Sequence, residues 1–280
     1  MNYQERLRAH LVKYKFRVLG VLAGGAWKGP RTGAVSEQPH ILRAEHARLN
    51  ILAPYRERFW LEFEGTGNGD AQPLVLHRDF AHLNSSQAMC FNLFYPMVVD
   101  RGWAATFVQS ALGLKDGVKS LAFEYVDDPE ENTHFDFFAQ MESGAKIYFE
   151  TRLAELGLGT GELAEGHRDK LARLYAPRLA GLVDEKWLDP EAFFRRYQLM
   201  RNLCYLDKPA NLLYLVVPRA NESLQQALRI LPEITDGPLK DRVRVLYLEE
   251  LLDRLKPLLR GREEGLKAHY REFREKYLPE

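Results

Sequence analysis

THFDFFAQMESGAKIYFETRL, residues 133–153, alternates with period two on either side of a short polar break. That pattern predicts two strands joined as a hairpin. Within the break, Glu142 and Ser143 suit a type I turn and Gly144 suits the left-handed position that follows it. Closing on Met141 and Ala145 places Asp136 opposite Glu150 and His134 opposite Arg152. Opposed side chains on one sheet face have Cβ atoms about 4.5–5.5 Å apart. Two bare carboxylates at that spacing repel each other, and a divalent cation between them removes the penalty. Hard oxygen ligands suit Mg²⁺, with Mn²⁺ a second choice. A two-residue Ser-Gly turn would instead send the two acids to opposite faces, so the turn decides the argument.

Outward from the hairpin, KSLAFEYV (119–126) reads as a preceding strand, and NLLYLVV (211–217) and VRVLYL (243–248) as buried strands separated by helical patterns. Helices are expected near 161–181, 189–203, 221–231, 248–259 and 262–277. Upstream, a helix over 1–20 and another over 40–50 precede a strand-like FWLEF (59–63). A turn-rich loop, EGTGNGDAQP, follows at 64–73, and then a buried helix capped by Asn84 or Ser85. The order predicts an α/β fold with a central mixed β-sheet, an antiparallel hairpin plus crossover strands, flanked by helices.

Composition sets the frame. The 280 residues are 46% hydrophobic and 28% charged, with 39 Lys+Arg balancing 39 Asp+Glu. Such a chain is globular, and its net charge alone predicts no polyanionic partner. The two cysteines, Cys90 and Cys204, exclude a disulfide scaffold and read as core thiols suited to a reducing cytoplasm. The charged N-terminus is unlike a signal peptide, and no apolar run is long enough to span a bilayer. Charge is nevertheless uneven. Residues 1–31 carry seven basic side chains against Glu5, as either a solvated helix or a phosphate-contacting arm. Residues 121–155 carry nine acids against Lys146 and Arg152. The acids of DDPEE (127–131) read as loop charges. Asp136 and Glu150 differ, because aromatic neighbours crowd them and a buried carboxylate needs a partner.

Other chemistries find little support. GGAWKG lacks the phosphate-loop spacing, no G-x-S-x-G elbow or HExxH signature occurs, and glycosidase carboxylates flank a cleft instead of sharing a hairpin.

The hairpin resembles the catalytic hairpin of PD-(D/E)XK nucleases, with an Asp on one strand and Glu-x-Lys on the next. The resemblance is closest to a family of bacterial restriction endonucleases, in which segments like HLNSSQAMCFNLFYPMV (82–98), RRYQLMRNLCYL (195–206) and LLYLVVPRAN (212–221) accompany it. It implies a basic N-terminal helical arm over 1–40 and a single nuclease-like domain over 41–280. It also implies Mg²⁺ held by Asp136, Glu150 and the carbonyl of Thr151, with Glu124 as an extra acid and Gln87 and Gln198 as further site residues. DNA is the implied partner, and a homodimer would let both strands be cut. Two departures stand out: Phe135 occupies the family's proline position, and Arg152 the lysine position. A guanidinium effectively cannot give up a proton, so Arg152 can add charge but cannot act as a general base. The alternative implied by that change is a fold that no longer cuts and serves as a nucleic-acid- or partner-binding module.

Overall fold

A computed structural model of the chain describes residues 1–29, 33–63, 74–162 and 165–279. The loop expected at 64–73 lies outside them. The described residues form two compact units, Met1–Lys115 with Leu248–Glu280, and Asp116–Tyr247.

The first unit is mainly helical. Its helix Ser86–Val99 is capped by Ser85, whose hydroxyl accepts from the Ala88 N–H, and Ala88 through Met97 are all buried. That is the buried helix its all-round apolar pattern predicts. The helix Glu264–Tyr277 packs on it and on the helices Tyr3–Arg17 and Ala53–Phe63. One expectation needs correcting here. FWLEF is the end of the helix Ala53–Phe63, not a strand; Phe59 and Trp60 are buried while Leu61 is exposed, a helical and not an alternating pattern. Two short strands that were not expected, β1 (Gly25–Lys28) and β2 (Val35–Gln38), pair antiparallel after the first helix. The basic N-terminal helix packs by its apolar side and keeps Arg8, Lys13 and Arg17 exposed. Tyr14 donates to Glu272 (2.8 Å), and Lys15 is buried with its Nζ on the carbonyl of Ala23 (2.8 Å).

The second unit contains a five-stranded sheet: β3 (Val118–Val126), β4 (His134–Met141), β5 (Lys146–Thr151), β6 (Leu212–Val217) and β7 (Val243–Tyr247), in that spatial order. β3, β4 and β5 are antiparallel; β6 and β7 add in parallel. This is the predicted mixed sheet. The hairpin register is also the predicted one, with Phe137 opposite Phe149 and Gln140 opposite Lys146. The turn closes as expected, with Met141 N–H on the Ala145 carbonyl (2.9 Å) and Gly144 at φ +90°. A residue with a side chain is strained at that φ, which is why glycine fixes the register.

Both sheet faces are apolar. On one, Phe123, Phe137, Phe149 and Tyr214 form a row of rings 5.0–5.6 Å apart across four strands. On the other, Phe138 and Tyr148 join a core with Tyr175, Phe193, Leu199 and Leu213. Each fully buried ring contributes about 1.5–3 kcal/mol. A sheet covered on both sides is where a charged side chain is most costly, and that is where Glu150 sits.

Candidate active site

Asp136 and Glu150 lie just beyond the last ladder pair of the hairpin, Phe137–Phe149, where β5 turns from β4 toward β6. Asp136 bends along the hairpin to meet Thr151, whose N–H and hydroxyl both donate to its Oδ2 (2.6 and 2.7 Å). Among the described residues, Oδ1 accepts no hydrogen bond. Glu150 is almost fully buried, accepts two hydrogen bonds, from Gln198 Nε2 on Oε1 (2.8 Å) and Asn202 Nδ2 on Oε2 (3.1 Å), and forms an ion pair with the Arg152 guanidinium at Oε1 (2.8 Å). Gln198 and Asn202 are four apart on the helix Tyr197–Leu203, so one helix face presents both amides. Asn202 Oδ1 is buried without a partner. A cavity of about 10 Å³ lined by Glu150, Gln198, Asn202 and Leu215 adjoins it, room for about one water.

The electrostatics follow from this packing. Burial pushes the Glu150 carboxyl up to about 8; the neighbouring Asp136 charge adds to that, and Arg152 and the Asn202 amide oppose it. Asp136 is raised as well, again mainly by burial, against the pull of Arg152 and the two Thr151 donors. Burial alone would lower Arg152, but Glu150, Glu155 and Asp136 hold its guanidinium charged. Two adjacent carboxyls that burial and neighbouring acids both raise, one with an oxygen that accepts no hydrogen bond, suit a hard divalent cation. Among the described residues, no cluster of three or more His, Cys, Asp or Glu has metal-holding geometry. Any ion must therefore complete its shell with main chain and water, as Mg²⁺ ordinarily does.

The other expected residues divide. Gln198 joins the site. Glu124 does so only loosely: it sits between the pairs Phe123–Phe137 and Tyr125–Phe135, level with Asp136, but the ladder skips it. Its backbone is left-handed (φ +49°), and its carboxylate is 3.9 Å from His134 Nδ1. Gln87 belongs to the first unit, where it donates to the Val75 carbonyl (3.1 Å) and accepts from His77 N–H (2.8 Å). Sequence reasoning missed Asn202 and Glu155. The i, i+4 amide pair in YQLMRN was the available signal for Asn202. Glu155 raises both carboxyls and lies three positions past Arg152, with one oxygen on the Leu153 N–H (2.6 Å).

The acids of DDPEE do lie on the loop between β3 and β4, but three of them are bonded there. Asp127 is bonded by Tyr125 (3.1 Å), Tyr148 (2.9 Å) and Lys146, and Asp128 by Arg178. Glu131 is fully buried. It accepts from Thr133, Tyr175 (2.6 Å), Tyr205 (2.8 Å) and Arg201 (2.9 Å). Cys90 and Cys204 are buried free thiols, as expected.

Beside the carboxylates opens a cleft of about 890 Å³, bounded by Arg152, the loop Leu156–Thr160, Gln198 and the segment carrying Arg229. Among the described residues, no helix is long and apolar enough to cross a membrane. No curated protein and no solved structure matches the chain. A family model does, over residues 8–278, nearly the whole length, and its description is Restriction Endonuclease associating with ARP. The mixed sheet, the hairpin with its paired acids and this match agree, and the chain belongs to that restriction endonuclease family.

Proposed function

We propose that the chain is a metal-dependent deoxyribonuclease that hydrolyses phosphodiester bonds at the Asp136–Glu150 pair. The observation that carries this reading is the pair itself: the buried Glu150 and the half-buried Asp136 side by side, with one oxygen, Asp136 Oδ1, accepting no hydrogen bond. Asp136, Glu150 and the main-chain carbonyl of Thr151 would hold Mg²⁺, or Mn²⁺ in its place. When bound, the ion supplies Lewis-acid charge and a more acidic water. The protein's own part is positional. Thr151 fixes Asp136, while Gln198 and Asn202 fix Glu150 and keep it from turning away. Arg152 brings a permanent positive charge to the edge of the cleft, where it meets the substrate phosphate and offsets charge that grows in the transition state. Glu124 is a reserve acid on the preceding strand, and DNA is the substrate. The family's description adds association with ARP, which in this reading is a protein partner of the chain.

A second reading, binding without cutting, draws on one contact. Arg152 lies 2.8 Å from Glu150 Oε1 and already supplies a cation to the carboxylates. Plasmid DNA incubated with the protein in Mg²⁺, Mn²⁺ or EDTA separates the two. The nuclease reading expects cutting with the ions, none in EDTA, and none from Asp136→Asn or Glu150→Gln. Arg152→Ala should cut slower by on the order of 10²–10³, the cost of one transition-state donor. Arg152→Lys should retain activity. A folded wild type silent with both ions overturns the hydrolytic reading, and cutting gained only in Arg152→Lys would establish the second.

A further inference from the structure

We infer that Arg195 and Arg229, on the walls of the cleft beside Arg152, bind the phosphodiester backbone of double-stranded DNA on either side of the phosphate presented to Arg152. The inference rests on the nuclease reading for its substrate and goes beyond it in naming the residues that track the strand.

Four arginines line this cleft, Arg152, Arg195, Arg196 and Arg229, against two acids, Glu155 and Glu233. They are not equivalent. Arg152 is committed to Glu150 at the inner end. Arg196 is built into the protein: its Nη1 donates to the Ala192 carbonyl (3.2 Å) and its guanidinium lies over the Trp187 ring, 5.0 Å from the centroid. Arg195 and Arg229 are exposed, and neither guanidinium has a protein partner among the described residues.

Each follows the end of a short helix, Pro190–Phe194 and Glu222–Leu228, where a cation complements the terminal carbonyls. That accounts for a positive charge at each position. It does not account for both lying on one concavity with a third arginine that is held charged by the carboxylate pair. A cleft lined by one sign of charge focuses its field and raises the local concentration of an anion. The anion that reaches all three arginines must carry charge at intervals along its length, as a nucleic-acid backbone does. Gly157 leaves open space on this wall, with nothing within 4 Å of where a Cβ would stand, so that backbone can approach closely.

The experiment uses the full chain, a short labelled DNA duplex and EDTA, so that nothing is cut. Binding is followed by fluorescence anisotropy between about 50 and 200 mM salt, where each phosphate contact contributes about 0.9 to the slope of log K against log salt. Arg195→Gln/Arg229→Gln should bind more weakly with a slope shallower by about 2, at an unchanged melting temperature. Arg196→Gln should lower the melting temperature and leave the slope alone. A double variant with the wild-type slope overturns the inference, as does a wild type that does not bind, or an Arg196→Gln slope that falls as far as the double variant's. If wild-type protein cuts DNA but the double variant keeps its slope, the nuclease reading stands and this inference fails. If the slope falls as expected in a protein that never cuts, the inference stands and the hydrolytic reading fails.

Discussion

Glu131 and Glu150 are both buried in the same compact unit, and their carboxyls move in opposite directions. Burial would raise each one. At Glu131, hydrogen bonds from Thr133, Tyr175, Tyr205 and Arg201 overcome that and hold the carboxyl down at about 2. At Glu150, two amide donors and the Arg152 ion pair are outweighed by burial and by the adjacent Asp136, and the carboxyl rises to about 8. The difference is fewer donors against burial, and a second acid that adds to it. Glu131 is surrounded by groups that all favour its charge and is complete within the protein. Glu150 shares its surroundings with a like charge, and the protein alone does not neutralise the pair. A buried acid of the first kind is structural; one of the second kind is, under the proposed function, the one that would hold a cation.

The largest effect that separates the two is on stability. Glu131→Gln should cost about 3–5 kcal/mol in urea unfolding with EDTA present, because it strips Arg201 and the tyrosine hydroxyls of their common charged partner. Glu150→Gln should cost nothing or stabilise the metal-free protein near neutral pH, since it mimics the protonated acid. The reverse ranking would dissolve the distinction.

The same contrast should appear as two opposed limbs of stability against pH. Glu131 has a depressed pKa, so its contribution is present above the ordinary carboxylate range and is lost as pH falls toward about 2. Glu150 is raised: the folded protein keeps its proton while the unfolded chain loses it near 4 to 5. Its contribution is therefore full at low pH and is lost as pH rises from that range through about 8. Melting temperatures measured in EDTA across pH should show both limbs. Glu131→Gln should flatten the acid limb only, and Glu150→Gln the neutral-to-alkaline limb only.

A smaller effect tests how Glu150 is held. Gly159 has φ +84°, and a Cβ there would lie 2.7 Å from Gln198 Oε1 and 2.8 Å from its Cβ. Gly159→Ala should cost about 1 kcal/mol or more through backbone strain, and slow any cleavage by shifting the amide from Glu150. Gly157→Ala, two positions away, meets nothing within 4 Å and should leave the melting temperature where it is.

How much of this was legible beforehand depended on which forces were local. The hairpin register could be read because Gly144 and the three-residue loop set it within five positions, and β6 and β7 because continuous apolar runs have few other homes. FWLEF misled because β-prone aromatics outweighed the helix pattern, visible only when its buried side is known. Glu131 was missed for a different reason. Its partners Tyr175, Arg201 and Tyr205 lie 44 to 74 positions downstream, so nothing local marks it as buried. Asn202 and Glu155 were hidden likewise: each matters through Glu150, and only the fold brings them to it.

The central claim is that Glu150 holds a proton near neutral pH that a divalent cation displaces. Isothermal titration of Mn²⁺ into the metal-free protein at pH 7, in two buffers of different ionisation enthalpy, measures that proton directly. The account predicts binding accompanied by release of close to one proton per ion, with both lost in Glu150→Gln and retained in Glu131→Gln. Mn²⁺ binding without proton release, binding that survives Glu150→Gln unchanged, or no binding at all would contradict it.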